Sequence, residues 1–385
     1  MKKIIALLIS FFIFSVIAGS CVFASSLRPA YEMRNIRVAI LDGVTSFNLA
    51  INGPYSLLGA DNKMLFEGDY LNDAKVLIKG AIIKIGNSEF DISRIKVIPQ
   101  ANDAISVNAR RFRGNIEIII KKDNKFLVVN HLVVEDYVKG VLYHEVSHFW
   151  PIEAIKAQAV LARTYALYEA KVNKALDYDL KTNTASQMYG GRTSEKFRTN
   201  MAVAATKREV LTFENELFPT YYHATCAGHT EDAANLFNIK IPPLAGVTCG
   251  FCRRSPHFKW QAKVSLKDIL EKLKGKGFNL GVIGDIRIKG VNASGRISQL
   301  EIEGRDKSIS LSGKDFRNAV GPNLIRSTNF QVKIENGFAD FIGFGWGHGA
   351  GLCQWGAYFM AKEGKRYEEI IKYYYPGAEL KELEY

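Results

Sequence analysis

The sequence predicts an α+β protein, with a β-rich N-terminal region followed by a core that mixes helices and strands. Three observations carry this. Short β-branched runs separated by Gly, Asn and Asp turns fill residues 34 to 130. Apolar residues then switch to helical spacing between Val134 and Ala170. Residues 258 to 342 return to strands, interleaved with an amphipathic helix at Leu266 to Leu273. With 47% hydrophobic residues the chain has enough apolar material for real cores, and about 360 residues beyond a leader leave room for two domains.

Lys2 and Lys3, the apolar run Ile4 to Ala18 and the small-residue end Val22-Phe23-Ala24 predict a signal peptide over residues 1 to 24, hence an exported protein. Cys21, after Ala18-Gly19-Ser20, offers an alternative lipoprotein cleavage site, although the leucine-like residue usual there is missing. No later apolar stretch reaches the length of a bilayer span, so a membrane anchor is expected only at this end. A formal charge of +12 favours anionic partners. Outside the cytoplasm these are the cell wall and the membrane surface, and no nucleic-acid-binding motif is present.

The predicted strands of the region 25 to 125 and its border are Ile36 to Leu41, Lys75 to Ile78, Ile82 to Ile85, Ile95 to Ile98, Ile116 to Ile120 and Phe126 to Val129, with Asp123-Asn124 turning between the last two. No catalytic cluster stands out there. Val138, Val141, Leu142 and Val146 then predict an amphipathic helix, begun by Glu135 and Asp136 at the dipole end that favours acids. Trp150-Pro151 breaks it, and Pro151 suits the first turn of a second helix. Along that helix Ile155, Ala159, Ala162 and Ala166 form a stripe of mostly small residues, with Gln158, Arg163 and Tyr165 among them. A core helical hairpin accounts for this pattern as well as a site built around Glu145 does. His144-Glu145-Val146-Ser147-His148 also fits H-E-x-x-H, the zinc-peptidase motif. That chemistry needs a helix running through the second histidine, and Trp150-Pro151 closes it too soon.

Glu145 one turn before Trp150-Pro151, followed by Glu153 to Leu167 in the pattern E-A-L-K-A-Q-A-V-A-A-R-T-Y-A-L, resembles the sporulation stage II protein D family of peptidoglycan lytic transglycosylases and their relatives, the amidase enhancers. His144 and Val146 depart from the family's usual small residue and methionine. Thr184 to Gly191 resembles the family's Q-x-Y-x-G loop, in which Gln187 and Tyr189 suit a sugar, or simply loop packing. Gly343 to Tyr358 is similar to the family's G-W-G-H-G-V-G-M-S-Q-Y-G signature, with Cys353 for serine and Trp355 for tyrosine. Its five alternating glycines let backbone crowd a site beside Trp346, His348 and Gln354. A phosphate loop is the rival for such a stretch, but the Walker lysine is absent. Arg366 to Gly377 is also family-like.

The resemblance implies a catalytic domain at 126 to 385 with an insertion at about 262 to 342. It implies Glu145 as the catalytic acid and base, and cleavage of the β-1,4 bond between N-acetylmuramic acid and N-acetylglucosamine to leave a 1,6-anhydro end. Gln158, Arg163, His348 and Gln354 are the expected positioning residues. The partners implied are peptidoglycan glycan strands and, on the enhancer reading, a cell-wall amidase served by a non-catalytic protein.

Cys226-Ala-Gly-His229 and Cys249-Gly-Phe-Cys252 supply four soft ligands in two chelating turns, the arrangement of a structural zinc. His223 is a substitute ligand. Disulfides are the alternative in an exported protein, yet these three cysteines and the distant Cys353 offer no obvious pairing.

Overall fold

Two sheets stack in the N-terminal region, antiparallel throughout except where Leu180–Lys181 joins Asn35–Val44 in parallel. The computed structural model describes residues 35–182 and 186–383, so the predicted signal peptide and Cys21 lie outside the described residues. The first sheet runs in the order Leu180–Lys181, Asn35–Val44, Phe126–Val133, Asn115–Ile120, Arg94–Pro99, Tyr55–Leu58, Met64–Gly68. The second runs Arg110–Phe112, Ile105–Val107, Ser46–Ile51, Leu71–Lys79, Ile82–Ile85, Ser88–Phe90. Alternate residues such as Phe47, Leu49 and Ile51 point inward to meet Ile36, Val38 and Val128 of the facing sheet, as period-two patterning requires. Each predicted strand is present. Most of the unpredicted ones are short or lie at sheet edges; Ser46–Ile51, six residues inside the second sheet, escaped the pattern because Ile51 is its one β-branched residue. Asn124 turns at φ 58° between Asn115–Ile120 and Phe126–Val133, a left-handed position that asparagine tolerates.

Phe126–Val133 is a central strand of the first sheet and runs directly into helix α1 (Val134–Glu145). The predicted division at 125/126 therefore falls inside one shared core: Val138, Val141 and Leu142 of α1 and Ile155, Ala159 and Ala162 of α2 (Ile152–Val172) bury into the sheets' apolar cluster. Between the two helices the chain extends at Val146 and again at Pro151, which precedes the first residue of α2. Helix α3 (Phe197–Ala205) packs on the pair.

Arg163, in the middle of α2, is completely buried. Its Nε and Nη2 reach Glu135 Oε1 and Oε2 at 2.9 and 2.8 Å, and Nη1 donates to the Glu209 carbonyl at 2.9 Å. It clamps α2 to the start of α1. Removing one partner of such a pair strands a buried charge, so Glu135→Gln should destabilise the protein by about 3 kcal/mol or more, readable as a lowered urea midpoint with an unchanged slope.

The chain continues through a short helix α4 (Ala234–Phe237) into an inserted unit with its own core. There α5 (Leu266–Lys274) and α6 (Gly313–Val320) pack on two three-stranded sheets. Lys259–Ser265, Phe338–Phe344 and Phe330–Glu335 form the first, and Ile283–Val291, Ile297–Gly304 and Ser308–Ser312 the second. The predicted helix at Leu266 to Leu273 and the helix start at Ser312 are both present, and Ser312 caps α6 by accepting from the Asp315 amide at 3.0 Å. Helices α7 (Gln354–Lys362) and α8 (Tyr367–Tyr374) close the chain against α2. Among the described residues no helix is long and apolar enough to cross a membrane.

Candidate active site

Glu145 is the last residue of α1. A carboxylate there meets the unsatisfied carbonyls of a helix C-terminus, the wrong end of the dipole for a negative charge. Burial pushes its pKa up to about 7, against a smaller opposing pull from two donors. These are the Met188 amide, 3.2 Å from Oε1, and the Tyr222 phenol.

The direction of the Tyr222 bond follows from its neighbours. Tyr137 donates to Gln187 Oε1 at 2.9 Å, which fixes the amide so that Gln187 Nε2 faces Tyr222 Oη at 3.0 Å. Because Tyr222 accepts from Gln187, its own proton is free for Glu145. The chain Tyr137, Gln187, Tyr222, Glu145 thus holds one carboxyl in one orientation, and a proton can be gained or lost there near neutral pH.

A cleft of about 650 Å³ opens on this carboxyl, lined among others by Tyr165, Gln187, Met188, Tyr221, Tyr222, Phe237, Lys314, Arg317 and His348. Glu145 is the one acidic residue among its lining. His348 hydrogen-bonds the Ala350 amide through Nδ1 at 3.1 Å. Burial and the nearby Arg296 push its pKa down to about 4, so it is neutral.

The glycine-rich loop shapes this wall. Gly345, Gly347, Gly349 and Gly351 all have positive φ, and a Cβ on Gly351 would fall 1.9 Å from the Tyr221 carbonyl. Leu352–Cys353 consequently lies parallel to Tyr222–His223. Gln354 does not reach the cleft: it is buried, with Nε2 3.1 Å from the Glu145 carbonyl and 3.3 Å from Gln158 Oε1. It ties α7 to the end of α1.

The predicted substrate residues therefore divide. His348 and Gln187 line the cleft. Gln158 and Gln354 brace Glu145 from behind, and Arg163 belongs to the core clamp. Tyr189 is buried, stacked on Tyr137 at 5.2 Å with Oη donating to Asn130 Oδ1 at 2.8 Å. Its ring fills the space beside Gly140, so it packs the loop and leaves no face for a sugar. Trp346 stands outside the lining, half-buried between His257 and the Arg326 guanidinium. Tyr222 is not among the predicted site residues: no motif marks it, and its role follows from the parallel pairing of Tyr222–His223 with Leu352–Cys353, which only the fold shows.

His144 and His148 do not form a metal pair with Glu145. The helix ends between them, His144 Nε2 bonds Ser194 Oγ at 2.6 Å, and the His148 ring lies against Phe149.

The second cluster differs from its prediction in one ligand. Cys226, Cys249, Cys252 and Cys353 are fully buried, with their sulfurs all within 4.8 Å of one another. His229 lies outside, its Nδ1 at 2.6 Å from the Thr230 carbonyl. His223 is also elsewhere, with Nδ1 3.1 Å from the Ala350 carbonyl. The parallel pairing of Cys353 with His223 carries the distant cysteine to Cys226, whose amide donates to Cys353 Sγ at 3.2 Å. The Cys226 to Cys252 sulfur distance of 3.5 Å is close to the edge of about 3.8 Å that Zn–S bonds of about 2.3 Å give a tetrahedron. Beside the cluster the buried Arg296 guanidinium donates through Nη1 and Nη2 to the Cys226 carbonyl, both at 3.2 Å. Among the described residues no carboxylate lies within ion-pair distance of it. A buried cation without an acid partner calls for another source of negative charge, and a four-thiolate zinc centre carries a net charge of about −2. The residues present fit the metal.

Fold and site together define an α+β protein whose cleft presents a single proton-exchanging carboxyl, held by a helix end, a tyrosine relay and a glycine-rich loop. The chain belongs to the stage II sporulation protein D family. Residues 122–213 match the family model described as stage II sporulation protein, and residues 247–351, which include the inserted unit, match a domain of unknown function. An uncharacterized protein of Brachyspira hyodysenteriae is 33% identical over 355 residues, covering 91% of this chain and 94% of its own. Stage II sporulation protein D of Bacillus subtilis is 29% identical over 271 residues, 66% of this chain and 76% of that protein. The amidase enhancer of the same organism is 26% identical over 291 residues, 63% of this chain but 40% of the enhancer.

Proposed function

We propose that the protein is an exported peptidoglycan lytic transglycosylase that cleaves the bond between N-acetylmuramic acid and N-acetylglucosamine and leaves a 1,6-anhydromuramic end. The observation that carries this is the lone carboxyl in the cleft. A glycoside hydrolase ordinarily flanks the bond with two carboxyl groups, whereas an intramolecular transfer can proceed with one. Protonated Glu145 gives its proton to the glycosidic oxygen as the bond to C1 breaks, and the N-acetylglucosamine 4-hydroxyl departs. The muramic acid 6-hydroxyl then attacks C1, and the Glu145 carboxylate takes its proton, which closes the anhydro ring and restores the acid. A pKa of about 7 suits both halves of this cycle. Tyr222 steadies the carboxylate midway by donating to it.

Mass spectrometry of glycan strands digested by the purified protein tests the reading: anhydromuropeptides are expected, and reducing muramic ends would argue for hydrolysis. The similarity to an amidase enhancer favours a second reading, a wall-binding protein that activates an amidase without cleaving glycan. Absence of any cleavage of naked strands, together with stimulation of an amidase, would select it.

Tyr222→Phe should leave Glu145 with the Met188 amide alone of the two donors that stabilise its charged form. Its pKa then rises, so the alkaline fall in rate moves to higher pH while the maximal rate drops about tenfold. A pH–rate profile of wild type and variant reads both changes.

The four cysteines are proposed to hold one structural zinc beside the active site. All four positions are filled by protein, so the metal would brace the Tyr222 strand and the glycine loop and supply no open coordination site.

A further inference from the structure

Helix α6 turns Phe316 and Val320 into the core of the inserted unit, while Lys314, Arg317 and Asn318 line the cleft that holds Glu145. The unit is thus part of the site wall. Lys314 is exposed, stands over the Phe237 ring at 5.1 Å and donates to the Leu236 carbonyl. Arg317 is half-buried and spends its Nε on the Ile325 carbonyl at 2.9 Å. Among the described residues no carboxylate lies within ion-pair distance of either cation.

The acids nearby are engaged elsewhere. Asp315 accepts from Ser312 Oγ at 2.7 Å, and Glu231 holds Asn235, Asn292 and Ser294. His348 adds no negative charge, and Glu145 is substantially protonated near neutral pH. The cost of holding Arg317 there is visible: burial, then Arg296, pushes its pKa down to about 10. Two unpaired cations facing a cleft of this size make an anion subsite, and an arginine fork with a lysine beside it matches the two oxygens of a carboxylate.

We infer that Lys314 and Arg317 of the inserted unit bind a carboxylate carried by the glycan, so that this unit selects which strands reach Glu145. The inference rests on the glycan-cleaving reading for its substrate class. Two groups in peptidoglycan offer that chemistry: the lactyl carboxylate of muramic acid when no peptide is attached, and the carboxylates of an attached stem peptide.

Calorimetric binding to the full-length Glu145→Gln protein, which cannot turn over, separates these cases. The probes are a peptide-free GlcNAc–MurNAc tetrasaccharide, the same sugar with its lactyl carboxyls converted to primary amides, and a tetrasaccharide bearing stem peptides. The free acid, the peptide-bearing sugar or both should bind about tenfold or more tighter than the neutral amide, and the tighter of the two names the source. Adding Lys314→Glu, a change at an exposed position, should erase that preference. Adding Arg317→Lys, which keeps the charge but loses the fork, should erase only part of it. Equal binding of acid, amide and peptide-bearing sugars, no binding of any, or a preference untouched by Lys314→Glu would overturn the inference. A wild-type protein that shows the preference but releases no anhydro products would overturn the transglycosylase reading and leave the subsite standing.

Discussion

Glu145→Gln should lower the release of 1,6-anhydro products by about a thousandfold, the range lost when a single group supplies both acid and base, while the protein becomes more stable at alkaline pH. The two effects have one cause. In the unfolded chain the carboxyl titrates near its ordinary 4.5, but in the fold burial moves it to about 7. Between those values the native state holds a proton that the unfolded state has lost, so the contribution of Glu145 to stability is full below the lower pKa and disappears as pH rises through the upper one. Ionised Glu145 then costs the fold about 3 kcal/mol, which a neutral glutamine of the same shape avoids. Thermal melts at pH 5 and pH 8 check this: the variant should match wild type at the first and exceed it by several degrees at the second. A variant that is inactive and also less stable at both pH values would mean that Glu145 is a structural residue and that the chemistry lies elsewhere.

Glu145 was legible through the resemblance carried by Trp150-Pro151 and the Glu153 to Leu167 pattern, and the conflict between stability and chemistry is what the fold adds to it. A carboxylate that ends an amphipathic helix, beside Trp150-Pro151, contradicts the preference of that position for basic groups, and a contradiction of this kind marks function more readily than agreement does. The β-rich start and the helical hairpin were legible from their own pattern, since β-branched runs and the spacing of Val138, Val141 and Leu142 agree with their packing. What residue type could not disclose was partnership. Arg163 looked like a site residue because it stands among small residues, and Tyr189 because its loop resembles the family's Q-x-Y-x-G, but Glu135 and Asn130, which satisfy them, are brought there by the fold. Lys314 and Arg317 were invisible as site residues until the inserted unit was seen to wall the cleft. Chain distance hid Cys353 in the same way, and His229 took its place because C-x-x-H is a local pattern while the parallel pairing of Cys353 with His223 is not.

Cys353→Ser should release the metal and unfold the region around it, whereas His229→Ala should keep both. Cys226, Cys249 and Cys252 alone would leave a three-coordinate site open at the position Cys353 now fills, deep in the core shared by α7 and α8. A structural zinc site contributes folding free energy directly, on the order of 10 kcal/mol for small zinc-folded peptides; in a chain with three other cores the loss should be several kcal/mol and confined to this cluster. Arg296 makes the effect larger, because without the thiolate charge its buried guanidinium faces only the Cys226 carbonyl. Elemental analysis of protein purified without added metal should find about one zinc per chain in wild type and in His229→Ala, and far less in Cys353→Ser. Hydrogen exchange should show lost protection at Tyr222–His223 and through the glycine loop, with the N-terminal sheets unchanged. Because the same strand pair that carries Cys353 also positions Tyr222, metal loss should reach Glu145 as well. Glycan cleavage should therefore fall in Cys353→Ser although the metal touches no substrate. Zinc retained in that variant, or lost from His229→Ala, would return the histidine to the ligand set and break this link between metal and catalysis.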